Sequence, residues 1–165
     1  MEVAARPASA DDLPDLADLA ALAIEELTPI RGGAVWRRQA ARVAPTADSL
    51  AVDLASERTQ VVAGTIDGTV VGYGVVRTEE LAGGGTLGVV SDLYTLPDAR
   101  GVGVGEAVMD ALISWCREQG CFGVDSVALP GDRHTKNFFE SFGLVARAIV
   151  VHRSLESDGA PGDAE

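Results

Sequence analysis

The feature that most constrains this chain is Arg100-Gly101-Val102-Gly103-Val104-Gly105, set between an extended segment and an amphipathic helix. The residues before it, Gly88 to Leu96, read as a strand. After it, apolar residues fall at Val104, Ala107, Val108, Ala111, Leu112, Trp115 and Cys116, the spacing of one helix face. A strand, a glycine-rich turn and a helix start in that order present unpaired N–H groups and the positive end of the helix dipole to whatever binds there. Such a terminus favours a phosphate or pyrophosphate. The glycines let backbone approach it with no side chain between.

Two common phosphate loops are excluded. A P-loop needs Gly-Lys followed by Ser or Thr, and the one lysine, Lys136, lies elsewhere. A dinucleotide fingerprint needs a third glycine, and counting from Gly101 or Gly103 places Glu106 or Val108 there. What remains is Arg-x-x-Gly-x-Gly, on Arg100, Gly103 and Gly105; the plain alternative is a tight strand-to-helix turn with no ligand.

With its flanks, Leu93-Tyr-Thr-Leu-Pro-Asp-Ala-Arg-Gly-Val-Gly-Val-Gly105 resembles the acyl-CoA motif of the GNAT superfamily of N-acetyltransferases. Further on, Asn137-Phe-Phe-Glu-Ser-Phe-Gly143 is similar to that family's second signature, an aromatic pair, Glu, two residues and Gly. The pair of signatures is far more specific than either alone.

The length of 165 residues fits one domain. No apolar run approaches the ~18 residues that cross a bilayer, and the start lacks the form of a signal peptide, so a cytoplasmic location is expected. Twelve arginines against one lysine, with abundant Ala, Gly and Val, suggest a GC-rich bacterial genome. The net charge of −12 argues against nucleic acid or an anionic membrane as partner. It suits a cationic amine weakly; solubility explains it as well. Cys116 and Cys121, with no nearby His, read as reduced thiols rather than a metal site, and no metal is expected.

Along the chain, Glu2–Ala8 reads as a strand, and Ser9 as an N-cap with Asp12 three residues on. The helix that follows runs to Leu27. Shorter helices are expected around Ala34–Arg42 and Thr46–Ser56, and strands at Gln60–Ile66 and Val70–Thr78, joined by an Asp67-Gly68 hairpin turn. Beyond the motif helix come a strand at Phe122–Leu129, a helix at His134–Ser141 and a final apolar strand at Leu144–Ser154. The fold class expected is α/β: a mixed, mostly antiparallel sheet of about 6–7 strands with helices on both faces. Residues 1–155 form the domain, and 156–165 an acidic tail without fixed structure. The resemblance adds a splay between two strands, with acetyl-CoA in the gap.

The function implied is acetyl-CoA-dependent N-acetyl transfer to a primary amine, of a small molecule or a protein, by direct attack in a ternary complex. By resemblance, the backbone of Tyr94, Thr95 and Leu96 holds the pantetheine arm as a peptide adds to a sheet edge. The loop Arg100, Gly101, Val102, Gly103, Val104 and Gly105 holds the pyrophosphate. The Leu96 amide is the candidate for the thioester oxygen, and Asn137 and Phe139 border the pantetheine.

Asp92 shares a face with Tyr94 and Leu96 by strand alternation and is the candidate proton acceptor for the amine; Ser91 and Glu80 are weaker ones. Many family members have Tyr at the second aromatic position, where its hydroxyl protonates the leaving sulfur. Here that position is Phe139, so water or another donor (Tyr94, Tyr73, His134 or Ser141) must serve, or the protein binds acyl-CoA without turnover, as a regulatory or sensing module. Arg133 and Lys136 are candidates for the CoA nucleotide phosphates, against a plain role as surface cations. Trp36, Arg37, Arg38 and Arg42 fall where the family builds its acceptor pocket. A homodimer is possible by analogy, with the last strand, Ala146–Val151, covered by the domain itself or by a second subunit.

Overall fold

A five-stranded sheet in the order β1-β2-β3-β4-β5 carries the fold, in a computed structural model that describes residues Met1 to Glu156. The strands are β1 (Val3–Pro7), β2 (Thr59–Ile66), β3 (Thr69–Glu80), β4 (Thr86–Thr95) and β5 (Gly123–Ser126). The helices are α1 (Leu13–Leu27), α2 (Gly33–Gln39), α3 (Thr46–Ala55), α4 (Val104–Glu118) and α5 (Arg133–Ser141). β1 to β4 are antiparallel neighbours and β5 pairs parallel to β4, the mixed and mostly antiparallel sheet that the sequence implies.

The chain divides into two compact units. One comprises residues 1–23 and 42–126, with the whole sheet, α3, α4 and most of α1; the other comprises, of the described residues, 24–41 and 127–156.

In the first unit, both sheet faces are covered. Leu16, Leu19, Ala20 and Ala23 of α1 and Leu50 of α3 pack with Val61, Tyr73, Val75 and Tyr94 in one buried cluster. The opposite face is lined with glycine, and α4 lies against it. A Cβ at Gly64 would sit 2.7 Å from Val104 Cγ1 and Val108 Cγ2, one at Gly74 2.7 Å from Val108 Cγ1, and one at Gly88 2.5 Å from Cys116 Sγ. Val104, Val108, Leu112 and Cys116 recur every four residues, so one helix stripe meets the glycines. The Asp67-Gly68 turn has φ of 48° and 82°, the left-handed pair a two-residue hairpin requires.

Ser9 N–H donates to Asp12 Oδ2 at 2.8 Å, and Arg6 Nη1 and Nη2 donate to the two oxygens of the same carboxylate. The Arg6 bond, with help from Ser9, outweighs burial and holds the Asp12 carboxyl at about 2.

In the second unit, Asp132 caps α5 by accepting from Thr135 N–H at 3.2 Å. The α5 end is closed by Leu144 N–H donating to the Phe139 carbonyl at 3.1 Å. Phe139 is buried, its ring edge-on to Phe138.

Three expectations are corrected. Among the described residues the sheet has five strands: Leu144–Ser154 has strand propensity but enters no ladder, and propensity without cross-strand pairing makes no strand. β5 is shorter than Phe122–Leu129, since its ladder with β4 covers only Leu87 to Val90. α2 ends at Gln39, so Arg42 lies outside it. Of the expected tail, all but Glu156 lies outside the described residues.

Two predictions follow from this packing. Gly74→Val overpacks the α4 contact and is expected to cost about 1–3 kcal/mol in urea unfolding. Gly83→Ala, where a Cβ meets nothing within 4 Å, is expected to stay within about 0.5 kcal/mol of wild type. Asp12→Asn removes a cap and an ion pair and is expected to cost about 1–2 kcal/mol at pH 7. Because the folded pKa is depressed, the gap between wild type and variant is fully present above pH ~4–5. It closes as pH falls towards about 2, which unfolding midpoints across pH would read.

Candidate active site

The site is assembled on the last half of β4. Along β3 and β4 the register runs Tyr73↔Tyr94, Gly74↔Leu93 and Val75↔Asp92, then shifts to Val76↔Val90. Ser91 is therefore a bulge, the extra residue that bends a strand and re-aims its neighbours. β5 accompanies β4 only as far as Val90. From Ser91 to Thr95 the outer edge of β4 has no strand beside it among the described residues.

Alternation decides which amides that edge offers. Leu96 N–H donates to the Val71 carbonyl at 2.9 Å, so it points at β3. In an antiparallel ladder both polar groups of a residue face the same side and successive residues alternate. Tyr94 and Asp92 therefore face β3 with Leu96, whereas Leu93 and Thr95 face outward. Thr95 confirms this: its carbonyl accepts from Arg100 Nε at 2.8 Å, from outside the sheet. The Leu96 amide, the sequence candidate for the thioester oxygen, is thus already committed. Leu93, which the sequence reading passed over, has its amide on the open edge; fixing the phase of alternation needed one observed ladder bond.

Past β4 a short turn at Pro97–Ala99 leads into the glycine loop. The Arg100 guanidinium lies 5.3 Å from the centre of the Tyr94 ring, within cation–π range. Gly101 and Gly103 have φ of 83° and 101°, and a Cβ at either meets nothing within 4 Å. The positive φ demands glycine, and the free space is what a bound group with close backbone contacts needs. Gly103 is the N-cap of α4 and has no side-chain cap bond, so the first-turn amides, those of Val104 and Gly105 among them, lack intrahelical partners. The residues present therefore fit a pyrophosphate.

Asp92 occupies the face foreseen, shared with Tyr94 and Leu96, and the structure surrounds it with donors. Arg42 Nε donates to Oδ2 at 3.0 Å and Arg42 Nη2 to Oδ1 at 2.7 Å. Tyr73 OH donates to Oδ2 and Ser91 Oγ to Oδ1, both at 2.7 Å. Arg42 also donates through Nη1 to Asp53 Oδ2 at 2.6 Å and to Ser49 Oγ at 2.9 Å. The Arg42 side chain is 6% exposed and that of Asp92 11%. Burial works against the charge on Arg42, but the bonds and charges of Asp92 and then Asp53 outweigh it and raise its pKa. Burial, followed by the charge and bond of Asp92, pushes the Tyr73 phenol well above its usual value. Arg42, read from sequence as an acceptor-pocket cation, is instead a buried tie between the residues ahead of α3 and β4.

Several other sequence candidates have contacts of their own. Tyr73 and Ser141, two possible proton donors, give their hydroxyls to Asp92 and to the Phe138 carbonyl. Arg38 pairs with Glu156 at 3.1 Å and Lys136 with Glu140 at 2.7 Å, both on the surface. Glu80 accepts from Thr86 Oγ1. Asn137 and Phe139 belong to α5 in the second unit. Both cysteines are free thiols, and burial raises Cys116 to about 12. Among the described residues no helix is long and apolar enough to cross a membrane.

Removing Arg42 strands a buried carboxylate, so Arg42→Leu is expected to cost about 3–5 kcal/mol in urea unfolding. Tyr73→Phe, which leaves three donors on Asp92, is expected to cost about 1.5–3 kcal/mol. Equal losses for the two would contradict the central place given to Arg42.

Comparison with known proteins agrees with this geometry. No curated protein matches the sequence. Among solved structures, the BH1408 protein from Bacillus halodurans, as a tetramutant, superposes with a TM-score of 0.78 at 19% identity, covering 94% of this chain and 100% of that one. A putative acetyltransferase from Agrobacterium tumefaciens gives 0.69 at 22%, over 92% and 99%. AAC(6')-Iy, in complex with the bisubstrate analog CoA-S-monomethyl-acetylneamine, gives 0.70 at 16%, over 94% and 99%. At such identities the likeness is one of fold. The profile of the acetyltransferase (GNAT) family matches residues 22–144 of the sequence itself. The chain belongs to the acetyltransferase (GNAT) family.

Proposed function

We propose that this protein is an acetyl-CoA-dependent N-acetyltransferase acting on a primary amine of a small molecule or protein, by direct attack in a ternary complex. The observation that carries the reading is continuity. The unaccompanied edge of β4, the glycine loop and the uncapped start of α4 follow one another along the chain. Leu93 and Thr95 on that edge would pair with the pantetheine arm as an added strand. Gly101 to Gly105 would take the pyrophosphate on backbone amides. Arg100 would add its charge once released from Thr95. Family likeness assigns Asn137 and Phe139 to the same cofactor.

Bound acetyl-CoA supplies an activated thioester. An amine nitrogen attacks its carbonyl carbon, forming the amide as the carbon–sulfur bond breaks, and the thiolate leaves with the electron pair. An outward β4 amide, that of Leu93, is placed better than Leu96 to meet the carbonyl oxygen. A carboxylate offers about four lone-pair sites, and those of Asp92 already accept from Arg42 twice, Tyr73 and Ser91. In this arrangement Asp92 is a positioning residue that fixes the β4 bulge; it becomes the amine's proton acceptor only when Ser91, the exposed donor, turns away.

A second reading, a non-catalytic acyl-CoA-binding module, is favoured by one observation. Phe139 has no hydroxyl to protonate the sulfur, and the hydroxyls of Tyr73 and Ser141 are given to other acceptors.

A thermal shift with CoA and a thiol-release assay with acetyl-CoA across an amine panel separate these. At [CoA] of about 100 Kd the wild type gains roughly 2.7 kcal/mol. Gly103→Glu is expected to abolish that gain while remaining folded, because it adds a side chain and a negative charge to the cradle. An unchanged gain would refute the loop assignment. Thiol release with one amine class supports the enzyme; a thermal shift without release across the panel supports the module. Phe139→Tyr is expected to raise turnover, up to the ~10²–10⁴-fold that general acid help is worth. An unchanged rate would mean that water already protonates the thiolate.

A further inference from the structure

Both cysteines lie outside the chemistry proposed above, and the fold sets them against each other. The last turn of α4 closes as a Schellman motif. Cys121 N–H donates to the Cys116 carbonyl at 3.0 Å, and Gly120 N–H to the Arg117 carbonyl at 3.1 Å. Gly120 takes the left-handed φ, 76°, that this ending requires. In that motif the side chains of the two residues joined by the outer bond commonly touch, as an apolar contact. Here both are thiols. The same bond limits the separation of their α-carbons to roughly 7 Å, the most that a disulfide tolerates. Cys116 feels its neighbour: burial, then the charge and side-chain bond of Cys121, push its thiol up to about 12.

The two thiols differ in access. Cys116 is 1% exposed and ends the stripe of α4 that meets the sheet; a Cβ on Gly88 of β4 would sit 2.5 Å from its Sγ. Cys121 is half-buried, so a reagent from solvent meets it first. One thiol within reach of solvent and a second behind it are the attacking and resolving members of a redox pair.

We propose that Cys116 and Cys121 are a redox-modification site, which closes reversibly to an intrachain disulfide by exchange with a low-molecular-weight disulfide. The Cys121 thiolate attacks one sulfur of the small disulfide, and one small thiol leaves with the electron pair. The Cys116 thiol then gives its proton to solvent and attacks the Cys121 sulfur, and the second small thiol leaves. Two protein thiols are oxidised as one small disulfide is reduced to two thiols. The new bond clips the end of α4 to the residue that leads into β5. Nothing in this step uses acetyl-CoA, so the inference is independent of the proposed function.

The test incubates the full chain with glutathione disulfide under native conditions, alkylates the remaining thiols and reads the intact mass. The wild type is expected to lose two hydrogens, to take up no alkyl group and to run as a single chain on non-reducing electrophoresis. Dithiothreitol is expected to restore both thiols. Cys116→Ala is expected to stop with one glutathione held on Cys121. Cys121→Ser, folded by circular dichroism, is expected to keep Cys116 unmodified. At a fixed ratio of glutathione to its disulfide, the ratio of closed to open pair is expected to fall severalfold in urea, since the fold holds the thiols together. Both wild-type thiols still open to alkylation would overturn the proposal. So would a glutathione adduct that persists on the wild type, a two-chain product, or a closed fraction that urea leaves unchanged.

Discussion

The close approach of α4 to the sheet sets the position of everything at the candidate site. Gly64, Gly72, Gly74 and Gly88 remove the side chains that would hold the helix away, and Val104, Val108, Leu112 and Cys116 fill the space. Because Val104 is both the first helical residue and the first of this stripe, packing fixes where the helix begins. The uncapped amides and the glycine loop before them are therefore held by the core rather than by the loop's own contacts. The economy is physical: a helix anchored along its length presents a rigid N-terminus, and a rigid set of donors binds with little left to order.

A second constraint works on the opposite face. Arg42 spends its donors on Asp92, Asp53 and Ser49, while Tyr73 and Ser91 complete the shell around Asp92. Two charges so little exposed persist because each is paired and hydrogen-bonded. The network sits where β4 bulges at Ser91 and where β5 stops accompanying it. It thus holds the strand at the point where its outer edge becomes available. Open edge and buried ion pair are two faces of one local distortion.

Much of this was legible in the sequence, and the legible parts are local. The helical period after Val104, the Asp67-Gly68 turn and the placing of Ser9 and Asp12 at a helix start each depend on neighbours a few residues away. The two family signatures reported the family before any geometry was available. What the sequence hid is non-local. Arg42 and Asp92 are fifty residues apart and nothing near either announces the other. The outward phase of Leu93 and Thr95 depends on one ladder bond from Leu96 to Val71. The run from Leu144 to Ser154 has every local mark of a strand, yet it enters no ladder, and pairing is a non-local property that local pattern does not report.

The central claim is that β4 receives the cofactor on its unaccompanied edge, and amide hydrogen exchange with and without saturating CoA tests it most directly. Slow exchange at Tyr94 and Leu96 in the free protein is predicted, since these face β3. At Leu93 and Thr95 exchange is predicted to be fast in the free protein and slowed on binding. Unchanged exchange at Leu93 and Thr95 under conditions where CoA is bound would contradict the account.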